Sequence, residues 1–282
     1  MSPKALLALA LLLTAFAYAG ALGYGFVYDD TNQIVNNPAV QSPRYIPRYF
    51  SSHVWSHNSA IVLYYRPLFL LWLLANYAVF GLHPAGWHAA ALGLHLLVTL
   101  LFYRLVTDLT LGDRRAALIA AALFGLHPIH VESVAWISGA TDPLLAVFVL
   151  GAMLFYIRGR LAISLGCAVL AMLTKETAVV LPGLILIYEF LYSAEPGYRK
   201  RARNAVLRAL PFAAAVLACL ALRLAVLRTF TTERSAYALV DILLSWPKVL
   251  FLYIRRLFWP VHLSVFYDAI LASPRDLAAP SL

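Results

Sequence analysis

The strongest constraint on this chain is that apolar segments follow one another with almost no charge inside them. They occupy roughly residues 5–23, 66–82, 86–106, 115–136, 142–157, 161–174, 177–192 and 205–227, with a more broken one at 243–263. About twenty helical residues cross a bilayer core of ~30 Å, and several of these windows are long enough to do so. Of the 282 residues, 62% are hydrophobic and 12% charged. A soluble domain carries about twice that share of charge, so the apolar surplus must face lipid. The expected fold is an all-α polytopic membrane protein with about seven spans.

The formal charge of +9 could suggest a nucleic-acid partner, but much of it sits in "YRKRARNAVLR", residues 198–208, between two apolar segments. That placement reads as a cytoplasmic loop under the positive-inside rule, so no nucleic-acid partner is expected. Cys167 and Cys219 lie inside apolar runs as small hydrophobes and supply neither a disulfide framework nor a CxxC site. Ala17-Tyr18-Ala19 could pass for a signal-peptidase site, yet the many later spans favour a retained first helix with its N-terminus inside.

Orientation follows from the cations. Arg104, Arg114 and Arg115 flank one connection, Arg158 and Arg160 another, and the 198–208 cluster a third. Setting all three in the cytoplasm places an outer loop at 24–65, then Asp142, the "TKETA" turn at 174–178, and a second outer loop at 229–268 on the opposite side. The count requires residues 66–106 to cross once in net terms, with their first part interfacial or re-entrant. Within the second loop, "WPKVLFLYIRRLFWPVH" draws as an amphipathic helix suited to the interface.

Ionisable residues at membrane depth are costly and are functional candidates by default. Those at outer ends are Asp29, Asp30, Arg66, His127, His130, Glu132, Asp142, Lys175, Glu176, Arg223, Arg228, Arg255, Arg256 and Asp268. Carboxylates mixed with cations at one leaflet suit transfer of a group from a lipid phosphate. A carboxylate takes the acceptor proton as the new bond forms, and Arg, Lys or a divalent ion meets the charge developing on the departing phosphate. Adjacent acids such as Asp29 and Asp30 raise each other's pKa unless a cation, metal or hydrogen bond intervenes. Blander readings exist for each. The pair could cap a helix near Asn32. His127 and His130 lack the HExxH spacing of a zinc site. Lys175 and Glu176 are about 100° apart on a helix and need not pair with each other. Arg223, inside an apolar run, must snorkel or find an anion.

The segments "YDDTNQIVNNP", "YYRPLFLLWLLANYAVFGLHPAGWHAAALGLHLL", "LFGLHPIHVESVAWISGATDPLL" and "LTKETAVVLPGLILIYEF" resemble the successive motifs of the transmembrane O-mannosyltransferases that act on cadherins, and of their bacterial relatives. Those are multi-pass GT-C glycosyltransferases, usually followed by tetratricopeptide repeats. The resemblance implies a GT-C bundle and inverting transfer from a polyprenyl-phosphate sugar to a hydroxyl of a protein or glycan acceptor. It implies an integral membrane protein, of a bacterial inner membrane, with its site on the periplasmic or lumenal face. Asp29 and Asp30 match the acidic motif of the first outer loop and become the catalytic candidates. Arg66 matches a motif near the donor phosphate, where Lys175, Arg223, Arg255 and Arg256 would join it. Glu132, Asp142 and Glu176 are further site acids, and Asp30 with Asp142 would hold a divalent metal (Mg or Mn) if one is used. Ala140 departs from the Arg common in relatives before the Thr-Asp pair. The chain also ends at Leu282, before the remaining helices and repeats of the family, so the N-terminal part of a GT-C domain is expected.

Two other function classes are weighed against this. A transporter or lipid flippase would place its acids near the middle of spans and often carries inverted repeats; here the acids lie in loops or at segment ends, and no repeat is visible. A membrane anchor for a binding module would tolerate joint neutralisation of the outer charges.

Overall fold

In lipid no backbone N–H or C=O can be left without a partner, so each apolar run has to become a helix. The structure, a computed structural model, describes residues 2–57, 64–229, 239–261 and 263–264. Asp268 and the last part of the 229–268 loop lie outside the described residues. Helix α1 (Pro3–Tyr18) is capped by Ser2 and continues as a 3-10 turn, Ala19–Gly23. The polar stretch that follows folds into short turns and a single-turn helix, α2 (Ile46–Tyr49). Then come α3 (Pro67–Phe80), α4 (Pro84–Leu109), α5 (Arg114–Leu126), the short α6 (Val131–Ala135), α7 (Thr141–Ile157), α8 (Leu161–Thr174), α9 (Leu181–Tyr192), α10 (Tyr198–Leu227) and α11 (Leu239–Phe258).

Among the described residues, four helical stretches are long and apolar enough to cross a membrane: Pro3–Gly23, Pro84–Leu109, Ile137–Ile157 and Tyr198–Leu227. Arg114–Leu126 and Pro128–Ala135 pass together as a span bent by 48°. The bend falls at His127-Pro128, where proline pushes the preceding residue into extended backbone. The chain is an all-α polytopic membrane protein, and large apolar side chains such as Leu12, Phe16, Leu123 and Leu217 point outward along these helices.

Ion pairs define two ends. At one, Arg158 after α7 holds Asp108 near the end of α4, and Arg208 near the start of α10 faces Glu189 near the end of α9. At the other, Arg66 ahead of α3 holds Glu176 between α8 and α9, and Lys175 holds Asp142 at the start of α7. Helix α3 begins and ends at this second end. Its first turn follows Arg66, while after Gly81 the chain turns back so that Trp87, early in α4, donates its indole N–H to the Gly81 carbonyl at 2.9 Å and packs on Phe26. Gly81 has φ 56, a conformation that side chains resist, and this permits the reversal. Residues 66–106 therefore pass between the two ends once.

Small residues let the helices approach closely. Ala152, Ala168 and Ala171 are buried between α7 and α8, where the Ser164 hydroxyl donates to the Ala152 carbonyl at 2.7 Å. A second core gathers Ile34, Val40, Tyr49, Phe69, Leu73, Trp87 and Ile137, fastening the 24–57 segment to α3 and α4. That segment is thus a packed cover over one end of the bundle.

A single cysteine at position 36 or 200, in a chain with Cys167→Ala and Cys219→Ala, tests this arrangement. Asn36 and Lys200 are both exposed, at opposite ends. An impermeant thiol reagent applied to intact cells should label Asn36→Cys and leave Lys200→Cys unlabelled; labelling at both positions would contradict the separation of the two ends.

Candidate active site

The site begins with a residue that water cannot reach. Asp30 is 0% exposed. Its Oδ2 accepts the Val27 N–H at 3.1 Å, and its Oδ1 accepts both the N–H and the hydroxyl of Ser138, at 2.8 and 2.6 Å. Burial pushes its pKa up; the Ser138 and Val27 hydrogen bonds and the neighbouring His88 oppose the rise without cancelling it. Although Asp30 stands at the N-cap of the turn Thr31–Val35, its side chain accepts nothing from that turn. The helix-cap reading of the acidic pair is therefore not realised. Asp30 instead ties the segment after α1 to the 3-10 turn Ile137–Ala140 that starts α7.

Asp29 is built the other way. The residue before it, Tyr28, has φ 53, a left-handed conformation uncommon outside glycine, and Asp29 turns into an open cavity of about 340 Å³. Among the described residues it takes no hydrogen bond or ion pair. Burial, then the charge of Asp30, raises its pKa above the ordinary 3.8. Tyr64, Arg66, Glu132, Trp136, Asp142 and Lys175 line the same cavity. Gly139 is required at its floor, because a Cβ there would lie 2.9 Å from the Glu132 carbonyl.

The cations of the cavity are held by separate acids. Arg66 donates from Nε and Nη2 to the two oxygens of Glu176, at 3.1 and 2.9 Å, and lies 4.2 Å above the Tyr64 ring. Lys175 donates to Asp142. Adjacent Lys175 and Glu176 thus serve different partners: Lys175 lies in extended backbone after α8, and Glu176 opens the 3-10 turn Glu176–Val180. Burial pushes the Glu176 pKa up, but the Arg66 hydrogen bonds and charge, with a contribution from Arg223, outweigh it and hold the carboxyl below its ordinary 4.5.

A second cavity, of about 500 Å³ and mainly apolar, runs between α6 and α11. Its lining includes Ile129, Val131, Leu252 and Tyr253, with Arg256 at one edge, and it shares Glu132 and Trp136 with the first. The Trp136 indole N–H is buried and has no acceptor among the described residues. Helix α11 docks here through its Leu257 carbonyl, 2.9 Å from His127 Nε2. Nδ1 of that ring accepts the Ile129 N–H, so Nε2 carries the proton and donates to Leu257.

The structure thus brings Asp29, Arg66, Glu132, Asp142 and Lys175 to one cavity, with Asp30 and Glu176 behind its wall. Arg223 reaches the Glu176 neighbourhood, Arg256 the apolar cavity, and Arg255 is exposed on α11 and lines neither. His127 and His130 gather instead with His95 around Phe124. Asp30 and Asp142, the residues expected for a divalent metal, each meet donors of the chain itself. Asp30 accepts from Ser138 and Val27, Asp142 accepts from Lys175 through one oxygen, and no group of three His, Cys, Asp or Glu among the described residues could hold an ion. Sequence reasoning missed Ser138, Trp136 and Tyr64, whose roles depend on partners distant in the chain.

The chain is 33% identical over 216 residues to the protein O-mannosyl-transferase TMTC1 of Homo sapiens, covering 67% of this chain and 24% of that protein. It is 31% identical over 196 residues to the protein O-mannosyl-transferase F38B6.6 of Caenorhabditis elegans, covering 64% and 27%. The chain is a homologue of the protein O-mannosyl-transferases. A Drosophila melanogaster member, protein O-mannosyl-transferase Tmtc1, is 35% identical over 177 residues, 57% of this chain and 20% of that one. The chain therefore spans about a quarter or less of the length of the O-mannosyl-transferases it matches. No family model and no solved structure matches it.

The Arg66–Glu176 pair gives a signed pH test. Because the folded pKa of Glu176 lies below its ordinary 4.5, its stabilisation is complete above that pH and is lost as pH falls through the depressed value. Arg66→Gln should cost on the order of 2 kcal/mol at neutral pH. Thermal unfolding of both proteins in detergent should show the gap closing as pH falls below the ordinary 4.5 and through the depressed value; a gap unchanged by acid would rule out the pair as its source.

Proposed function

We propose that this chain carries the donor site of a GT-C-type membrane glycosyltransferase that moves mannose from a polyprenyl phosphate to a hydroxyl of a protein acceptor, with inversion. The relatives are named protein O-mannosyl-transferases, and the observation that carries the reading is the pair of adjacent cavities, one apolar and one charged. An amphiphile with an isoprenoid tail, a phosphate and a sugar needs an apolar groove beside a charged pocket. Here Glu132 and Trp136 form the wall common to both.

In this reading the tail lies between α6 and α11, and the phosphate meets Arg66 and Lys175, exchanging places with the carboxylates they hold in its absence. Arg223 and Arg256 add positive charge near the phosphate, and the buried Trp136 N–H gains an acceptor. The acceptor hydroxyl oxygen attacks the anomeric carbon from the face opposite the phosphate. The bond from that carbon to the phosphate oxygen breaks, its electron pair leaves with the phosphate, and the hydroxyl proton passes to Asp29. Of the two aspartates, Asp29 suits the base, since it is open to the cavity and its raised pKa strengthens it as a proton acceptor. Asp30 acts as a positioning residue through Ser138. The step uses only side chains of this chain and is not routed through a metal. The acid-bearing end would face the periplasm or a lumen, with the basic end in the cytoplasm. A transporter reading fits less well, because the charged set lies at one end of the bundle and not at mid-depth.

Turnover with a polyprenyl-phosphate mannose and a hydroxyl-bearing peptide tests the assignment. Asp29→Asn should lower kcat by about 10²–10⁴-fold with the protein still monodisperse, and Ser138→Ala should lower it by a smaller factor. Full activity in Asp29→Asn would sink the role of that residue. Failure of every polyprenyl-phosphate sugar with the unaltered protein would sink the donor class.

A further inference from the structure

At the basic end, far from the acids just described, a third cavity of about 430 Å³ opens between the end of α7, the start of α8, the end of α9 and the first half of α10. Half-buried Glu189 is its anchor. It accepts the Tyr156 hydroxyl at 2.7 Å and faces Arg208 Nε at 3.4 Å. This neutralises the acid and fixes the guanidinium, whose side chain remains 66% exposed, at the mouth. Arg160 is exposed at the rim, between the lining residues Gly159 and Leu161, while its neighbour Arg158 is spent on Asp108. Beside the two arginines, Leu161 and Leu207 are exposed and continue onto the apolar flank of α10 at Leu210. Tyr156 and Tyr188 pack edge to face within the cleft, and Tyr188 stacks on Tyr192, the kind of ring placement favoured at a membrane interface. Pro211, also in the lining, removes an N–H from α10 and frees the Leu207 carbonyl from its helical partner.

Cationic and apolar surfaces meeting at the membrane edge of a cleft match an anionic amphiphile better than a water-soluble ion. We propose that this cleft is a binding site for a phospholipid of net negative charge, with its phosphate on Arg160 and Arg208 and its acyl chains along Leu161, Leu207 and Leu210. The carboxylate in the lining does not oppose this, because its charge is already met by Arg208 and its oxygen by Tyr156. The site is separate from the glycosyl-transfer reading and stands or falls without it.

The full chain, purified in neutral detergent and incubated with equal amounts of phosphatidylglycerol and phosphatidylcholine, can be freed of loose lipid and weighed by native mass spectrometry. Phosphatidylglycerol should be retained on the order of tenfold over phosphatidylcholine, and Arg160→Gln/Arg208→Gln should bring the ratio to near one. Arg199→Gln removes the same kind of charge from the opposite face of α10, nine residues back at 100° per residue, and should leave the ratio unchanged. Equal retention of the two lipids by the unaltered protein, or an equal loss in Arg199→Gln, overturns the proposal. Release of the lipid by millimolar inorganic phosphate also overturns it, since the site would then be one for a free anion. If the double variant does not fold, Arg160→Gln alone, in an exposed turn, should still lower the ratio severalfold, and an unchanged ratio counts against the site.

Discussion

One buried carboxylate joins the parts of this molecule that chain order keeps apart. Asp30 sits out of water with its oxygens filled by Val27 and by both donors of Ser138, a residue 108 positions away. A buried carboxylate without partners would cost several kcal/mol. The segment after the first helix must therefore meet the turn that begins α7, or unfold from it. Once it does, Asp29, next to the anchored Asp30, stands in the cavity lining.

The remaining charges follow the same logic. Arg66 and Lys175 each hold an acid from a different element: Arg66 joins α3 to the α8–α9 connection, and Lys175 joins that connection to α7. These pairs close the cavity around Asp29 and Glu132 without consuming either. They also supply donors that a phosphate would compete for, because bidentate guanidinium geometry suits carboxylate and phosphate alike. At the other end Arg158 and Arg208 hold Asp108 and Glu189, so the helices are fastened at both ends while small residues close the middle.

Much of the fold was legible in the sequence because lipid imposes one solution on an uncharged run. Most predicted segments coincide with helices to within a few residues, and 115–136 shows its Pro128 as a bend, but α10 starts at Tyr198, so the basic run 198–208 read as a loop is instead the first part of that helix. Helix α11 extends further back than the "WPKVLFLYIRRLFWPVH" run indicated, starting at Leu239 and carrying Pro247 inside. The site was legible as a set of residue types but not as a set of roles. Nothing adjacent to Asp29 and Asp30 distinguishes them; the difference is Ser138, whose contact exists only once α7 is in place. Glu176 and Arg66 are 110 positions apart, and Lys175 beside Glu176 suggested no particular partner for either. Trp136 carried no signal at all, since a tryptophan in an apolar segment is ordinary until its N–H proves buried without an acceptor.

The central claim is that Asp29 takes the proton of the acceptor hydroxyl. The pH dependence of kcat/KM for mannosyl transfer tests it most directly. Activity should fall on the acid side through one ionisation above the ordinary 3.8 of an aspartate, as the burial of Asp29 and the charge of Asp30 require. In Asp29→Glu that limb should move. An acid limb that stays in place when Asp29 is replaced by glutamate would assign the proton to another group and contradict the account.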